Sequence, residues 1–186
     1  MLEIILKYAY EWSSARCLRS IYLDSWRSTL LSNKDGKLRT YTKFKSNFRR
    51  ECYLSILTNI TQRKNFTRFR ISCHQLKIET GRYTGIPCNL RICPHCNNEE
   101  IQDEIHFLFK CPTYHKDRSD LYEIVDNVCP CFINLTDVEK LMWLMNAEDK
   151  NVLVAVSKFI ISNLKQCSWC WYVVACMSQS CSLLWF

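Results

Sequence analysis

Three cysteines and a histidine stand at the spacing C-x2-C-x9-H-x4-C. They are Cys93, Cys96, His106 and Cys111, in the run CPHCNNEEIQDEIHFLFKC. Three thiolates and one imidazole are a soft donor set, and four such donors close a tetrahedral zinc site. Pro94 follows the first cysteine and favours the tight turn that lets both thiolates face one ion. Phe107, Leu108 and Phe109 can build a small apolar shell. With all four positions supplied by protein, none is open to substrate. The expected Zn2+ is therefore structural, and its binding energy is folding energy. A catalytic zinc needs three protein ligands, a water and a nearby base. Glu104, two residues before His106, is a candidate base by proximity only. Cys88, His95 and His115 lie nearby and read as bystanders.

Charge supplies the second candidate surface. The chain carries a formal net charge of +7. Between Lys37 and Arg70 ten Lys or Arg face one acid, Glu51, whereas Cys93 to Val128 holds eight acids against three basic residues. Such asymmetry gives one side suited to a polyanion and another suited to solvent or a partner. Lys43, Lys45, Arg49 and Arg50 lie between apolar positions of a helical pattern. Arg63, Lys64, Arg68 and Arg70 interleave with Phe66 and Phe69, and Arg82 follows. Cations neutralise phosphates, and aromatic rings stack bases of a single strand. The competing reading is a solvated face over a core stripe, with both phenylalanines inside. His74 reads as a structural polar residue.

The elements that must position these groups are mainly helical. Three glycines and four prolines are too few for an all-β chain of tight turns. Leu2, Ile5, Leu6, Ala9, Trp12, Leu18, Tyr22, Trp26 and Leu30 place a helix over residues 1–32. Asn33-Lys34-Asp35-Gly36 marks a boundary. Leu38, Tyr41, Phe44, Phe48 and Cys52, continued by Tyr53, Ile56, Leu57 and Ile60, predict a second helical region over 38–62. A further element runs over 63–82 and ends at Gly81, and a loop holds Gly85 and Pro87. After the metal module come a helix over 116–128 and a break at Cys129-Pro130-Cys131. Thr136 with Glu139 is a capping box for a helix reaching about Met145. A last helix begins near Glu148, with Val152, Leu153, Val156, Phe159, Ile160 and Leu164 on its apolar face. The fold class is mainly α: a helical domain with one small Cys/His zinc-binding module. Its divisions are a helical extension (1–36), a basic helical region with the module (37–128), a helix pair (129–166) and an apolar Cys/Trp-rich tail (167–186).

The thirteen cysteines raise the question of compartment. The N-terminal apolar run is short and broken by Lys7, Glu11 and Arg16, with no cleavage site after it. The expectation is an intracellular chain, in nucleus or cytoplasm, with cysteines as ligands or small apolar residues. The sequons at Asn59, Asn65 and Asn134 are then chance. Residues 167–186 carry no charge and are long enough to span a bilayer. Their serines, a glutamine and the missing basic flank favour an unstructured tail over a membrane anchor. The pair Cys167 and Cys170 lacks downstream partners.

The segments KLRTYTKFKSNFRRECYL (37–54), RFRISCHQLKIETGR (68–82), CPHC, and DEIHFLFKCPTYHKDR (103–118) together resemble one family. It is the C-terminal region of reverse transcriptases from animal non-LTR retrotransposons, with its zinc-binding-like segment. EKLMWLMNAEDKNVLVAVSKFI (139–160) is similar to the tail of such elements, and the likeness covers roughly residues 37–166. It implies a ligand role for Cys93, Cys96, His106 and Cys111. It also implies handling of RNA or DNA (element transcript or target DNA), alongside other retrotransposon polypeptides. Arg68, Arg70 and Arg82 are its first candidates for that contact. No Tyr/Phe-x-Asp-Asp polymerase motif and no endonuclease set of carboxylates and histidine appears, so no enzymatic activity carries over. The expected function is a non-catalytic nucleic-acid-binding fragment of a transposable element. The alternatives are a structural or interaction remnant, or a tail-anchored membrane protein.

Overall fold

The computed structural model describes residues 2–32, 38–45 and 47–164; side chains are described from Ser14 onward, Leu31 excepted. The apolar tail and the Cys167/Cys170 pair lie outside these residues. Eight α-helices follow in order: α1 (Leu2–Ser32), α2 (Tyr41–Phe44), α3 (Tyr53–Ile56), α4 (Ile60–Arg70), α5 (Lys77–Tyr83), α6 (His115–Asp126), α7 (Asp137–Met145) and α8 (Lys150–Asn163). Among the described residues the only β pairing is one antiparallel bridge, Ile92 to Ile101. The protein is mainly helical, as its apolar periodicity predicts.

α8 is the central element. Asp149 caps it by accepting from the backbone N–H groups of Asn151 and Val152, so it starts two residues past the expected position. Val152, Leu153, Val156, Phe159 and Ile160 are buried, and α4 and α6 pack against them. Phe66 and Phe69 of α4, Leu121 and Val125 of α6, and Leu141, Leu144 and Met145 of α7 complete the same core. The core therefore joins residues 129–164 to the basic region. Each such large apolar side chain contributes roughly 1.5–3 kcal/mol by leaving water. The Thr136–Glu139 capping box is present at the head of α7.

Two expectations from periodicity are corrected. The region 38–62 is not a continuous helix. It contains α2 and α3, and Lys45 and Leu57 turn extended after each of them. The interruption lets Lys45 pair with Glu51, six residues on. Helix geometry brings residues three and four apart together, not six. Glu51 is held there by Arg70 as well.

The element at 63–82 is also two helices. α4 stops at Arg70, Ser72 takes a left-handed φ of 53°, and α5 follows. Gly81 does not end α5. It lies inside the last turn, where a Cβ would sit 2.7 Å from Cγ of Arg91. The glycine allows a close approach rather than a stop.

Among the side chains described on α1, those that engage the core lie at its C-terminal end. Leu30 is buried and Trp26 packs on the core, while Leu18 and Tyr22 remain exposed. Tyr22 and Trp26 meet the Phe48 ring edge-on, at centroid distances of 5.3 and 5.4 Å.

Candidate metal centre

The Cys93–Cys96 turn grows from the Ile92–Ile101 bridge. Cys93 N–H donates to the Glu100 carbonyl at 2.9 Å, and Gln102 N–H donates to the Arg91 carbonyl at 2.9 Å. Glu99 reverses the chain between them with a left-handed φ of 54°. These bonds close a small loop whose two thiols face the next segment. There Asp103 Oδ1 accepts from His106 N–H at 2.7 Å and starts a wide π-type turn over His106–Lys110. The turn closes with Cys111 N–H donating to the His106 carbonyl at 2.8 Å. Pro112 then prevents its continuation.

The ligating atoms of Cys93, Cys96, His106 and Cys111 all lie within 4.8 Å of one another. Cys93 Sγ is 3.9 Å from Cys111 Sγ, and Cys96 Sγ is 3.4 Å from His106 Nε2. Cys93, His106 and Cys111 are buried and Cys96 is half-buried. The four residues can hold a metal ion. Burial pushes the Cys93 thiol up to about 12, with the neighbouring thiols adding to it. A cation must displace that proton to bind, which couples affinity to pH.

The surroundings complete the site. Glu100 Oε2 lies 2.7 Å from His106 Nδ1. Arg118 of α6 is buried and donates to the carbonyls of Leu108 and Cys111, both at 2.7 Å. Phe107 inserts among Phe69, Tyr114 and Phe159. Neither Glu100 nor Arg118 follows from ligand spacing. An acid six residues before a ligand histidine is a weak signal for the first, and the second has none.

The remaining candidates lie elsewhere. Cys88, His95 and His115 are exposed and outside the cluster. Glu104 is committed to a buried ionic network. It accepts from Arg39 at 2.8 and 2.9 Å and from Ser72 at 3.1 Å, and it lies 2.9 Å from His74 Nε2. Burial alone would raise its pKa, but the His74 bond and the cationic neighbours hold it well below the usual carboxylate range. Glu79 extends the network by pairing with Arg39 and Arg82.

The basic residues divide by environment. Arg70 is a correction: it is 1% exposed. Its guanidinium bonds to the Met145 carbonyl and to Glu51 and lies over the rings of Phe44 and Tyr53, at 4.5 and 5.0 Å. A cation in that position presents nothing to a phosphate. Phe66 and Phe69 are likewise in the core and stack no bases.

Lys45 is turned to Glu51 and to the Arg49 carbonyl. Arg63 donates to the Leu54 carbonyl at 3.0 Å, and Arg82 pairs with Glu79 at 2.9 Å. Lys43, Arg49, Arg50 and Lys64 are exposed, and Arg68 is half-buried. Arg49 pairs with Glu148 at 3.9 Å in a contact open to solvent and worth at most about 1 kcal/mol.

No family model matches this chain. No curated protein and no solved structure matches it either. Among the described residues no helix is long and apolar enough to cross a membrane.

Proposed function

We propose that this chain is a non-catalytic nucleic-acid-binding module built around one structural zinc ion. One observation carries the reading: three thiols and an imidazole converge on a single point and are tied into the core. Zinc–sulfur bonds of about 2.3 Å at tetrahedral angles put sulfurs roughly 3.8 Å apart. The Cys93–Cys111 separation of 3.9 Å fits that edge. Soft thiolate ligands favour zinc over the hard cations. Cys93, Cys96, His106 and Cys111 would hold the ion, and its part would be to clamp the Cys93–Cys111 segment.

Lys43, Arg49, Arg50 and Lys64 would then meet phosphates, with Arg68 beside Lys64 on α4. The resemblance to the C-terminal region of non-LTR retrotransposon reverse transcriptases supports RNA or DNA as the partner. It also supports a place among that element's polypeptides inside the cell. Absence of the polymerase and endonuclease motifs supports a binding role rather than catalysis.

The test joins metal analysis to binding. Purified chain should carry one zinc, lost in Cys96→Ser and His106→Ala, and should bind RNA or DNA with affinity that falls steeply as salt rises. Zinc retained in both variants would refute the ligand set. No affinity at low salt would refute the binding role.

A second reading rests on a different observation. Val128, Leu135, Met142, Trp143 and Ala147 line an open, largely apolar groove of about 600 Å³. Exposed apolar surface of this kind marks contacts with other proteins. It favours an interaction remnant, which the same salt titration would reveal by its lack of nucleic-acid affinity.

A further inference from the structure

Cys129 and Cys131 flank Pro130 in the turn after α6. The Cys129 carbonyl accepts from Phe132 N–H at 2.9 Å, and Cys131 sits at φ −82°, ψ −2°. That is a type I turn with proline at its second position, where its fixed φ belongs. The turn is anchored on both sides. Cys129 N–H donates to the Val125 carbonyl at 2.8 Å, and the Phe132 ring packs between Tyr122 and Trp143. Within it the two sulfurs lie 3.3 Å apart. Cys131 is exposed and Cys129 half-buried. Neither belongs to the metal cluster.

From this placement we infer that Cys129 and Cys131 form a reversible dithiol–disulfide site that exchanges with small disulfides such as glutathione disulfide. The exposed Cys131 thiolate attacks one sulfur of the small disulfide, forms a mixed disulfide and expels one thiolate. That thiolate takes up the proton Cys131 released. The Cys129 thiolate next attacks the Cys131 sulfur, forms the Cys129–Cys131 bond and expels the second small thiolate, which takes the Cys129 proton. Two protein thiols are oxidised and one small disulfide is reduced to two thiols. The order of attack follows from exposure, because the outer thiol meets the reagent first.

A bond spanning one residue closes a small ring inside a hydrogen-bonded turn. Strained or exposed disulfides have the more oxidising potentials and are the labile ones. The oxidised form should therefore revert in excess glutathione. The site would respond to thiol status without disturbing the metal ligands.

The experiment uses the metal-loaded full chain in glutathione/glutathione disulfide buffers, followed by alkylation and peptide mapping. Alkylation of Cys129 and Cys131 should fall together by about tenfold in oxidised buffer and recover in excess glutathione. The peptide containing both should carry an internal disulfide. Cys129→Ser should accumulate a glutathione adduct on Cys131, since no resolving thiol remains. Persistent alkylation of both residues would overturn the inference. So would a stable mixed disulfide in the unmodified chain, a bond from either cysteine to a third, or failure to revert. Should Cys129→Ser misfold, the mapping of the unmodified chain decides.

Discussion

His106 Nδ1 lies 2.7 Å from the Glu100 carboxylate, which leaves Nε2 facing the Cys96 thiol. The carboxylate holds the ring proton on Nδ1, so Nε2 keeps its lone pair for a metal. Such outer partners typically change affinity by about 10–100-fold. Glu100→Ala should weaken zinc binding within that range while leaving one ion per chain at saturation. Competition against a chromophoric chelator measures it. Unchanged affinity would mean that the ring is oriented by its packing alone.

Metal removal should loosen the helical core as well as the loop. Phe107 and Leu108 are buried between two ligands, and Phe107 touches Phe69 and Phe159. Free zinc at a hundred times Kd adds about 2.7 kcal/mol. For a domain of this size that corresponds to about 5–11 °C in Tm. A chelator should remove this increment, read by circular dichroism at 222 nm, and added zinc should restore it. An unchanged Tm would make the cluster irrelevant to the fold.

Arg70 should matter for stability and not for binding. Its removal leaves Glu51 with Lys45 alone and uncovers the Met145 carbonyl. Leaving a buried acceptor without its donor costs about 1–3 kcal/mol. Arg70→Ala should show that loss in urea unfolding, whereas Arg50→Ala, at an exposed site, should stay within about 0.5 kcal/mol.

Gly81→Ala tests the approach of Arg91. Its guanidinium is held twice, donating to the carbonyls of Ile78 at 2.7 Å and Ile86 at 2.8 Å. It cannot swing away from a Cβ that would sit 2.7 Å from its Cγ without losing those bonds. A destabilisation of about 1–3 kcal/mol is expected from urea unfolding. Gly85, with φ +70° and open space around it, would be strained by the same change for backbone reasons alone.

What could be read in advance divides along physical lines. α7 and α8 were legible because a cap and an apolar stripe agree within a few residues. The clustering of Cys93, Cys96, His106 and Cys111 was legible because donor type and spacing are local properties. The breaks after Phe44 and after Arg70 were not. They depend on Glu51 reaching Arg70 across nineteen residues and on Glu104 reaching Arg39 and His74 across still longer gaps. Charge content alone also misplaced Arg70, since a buried partner decides which cations face solvent.

The exposed cations carry the last prediction. Lys43, Arg49, Arg50 and Lys64 are exposed to a polyanion, Arg49 with only a solvent-open contact to Glu148, while Lys45, Arg63 and Arg82 have closer partners within the fold. Each phosphate contact steepens the plot of log affinity against log salt by about 0.9 on duplex DNA or about 0.7 on a single strand. Arg49→Ala with Arg50→Ala should therefore flatten the slope by about 1.8 or about 1.4, and Lys64→Ala by half as much. Arg63→Ala should leave the slope unchanged, because its guanidinium already donates to Leu54. Fluorescence anisotropy of a labelled oligonucleotide over a salt series measures all three. Equal slopes in the unmodified chain and the Arg49/Arg50 variant would place the binding surface elsewhere.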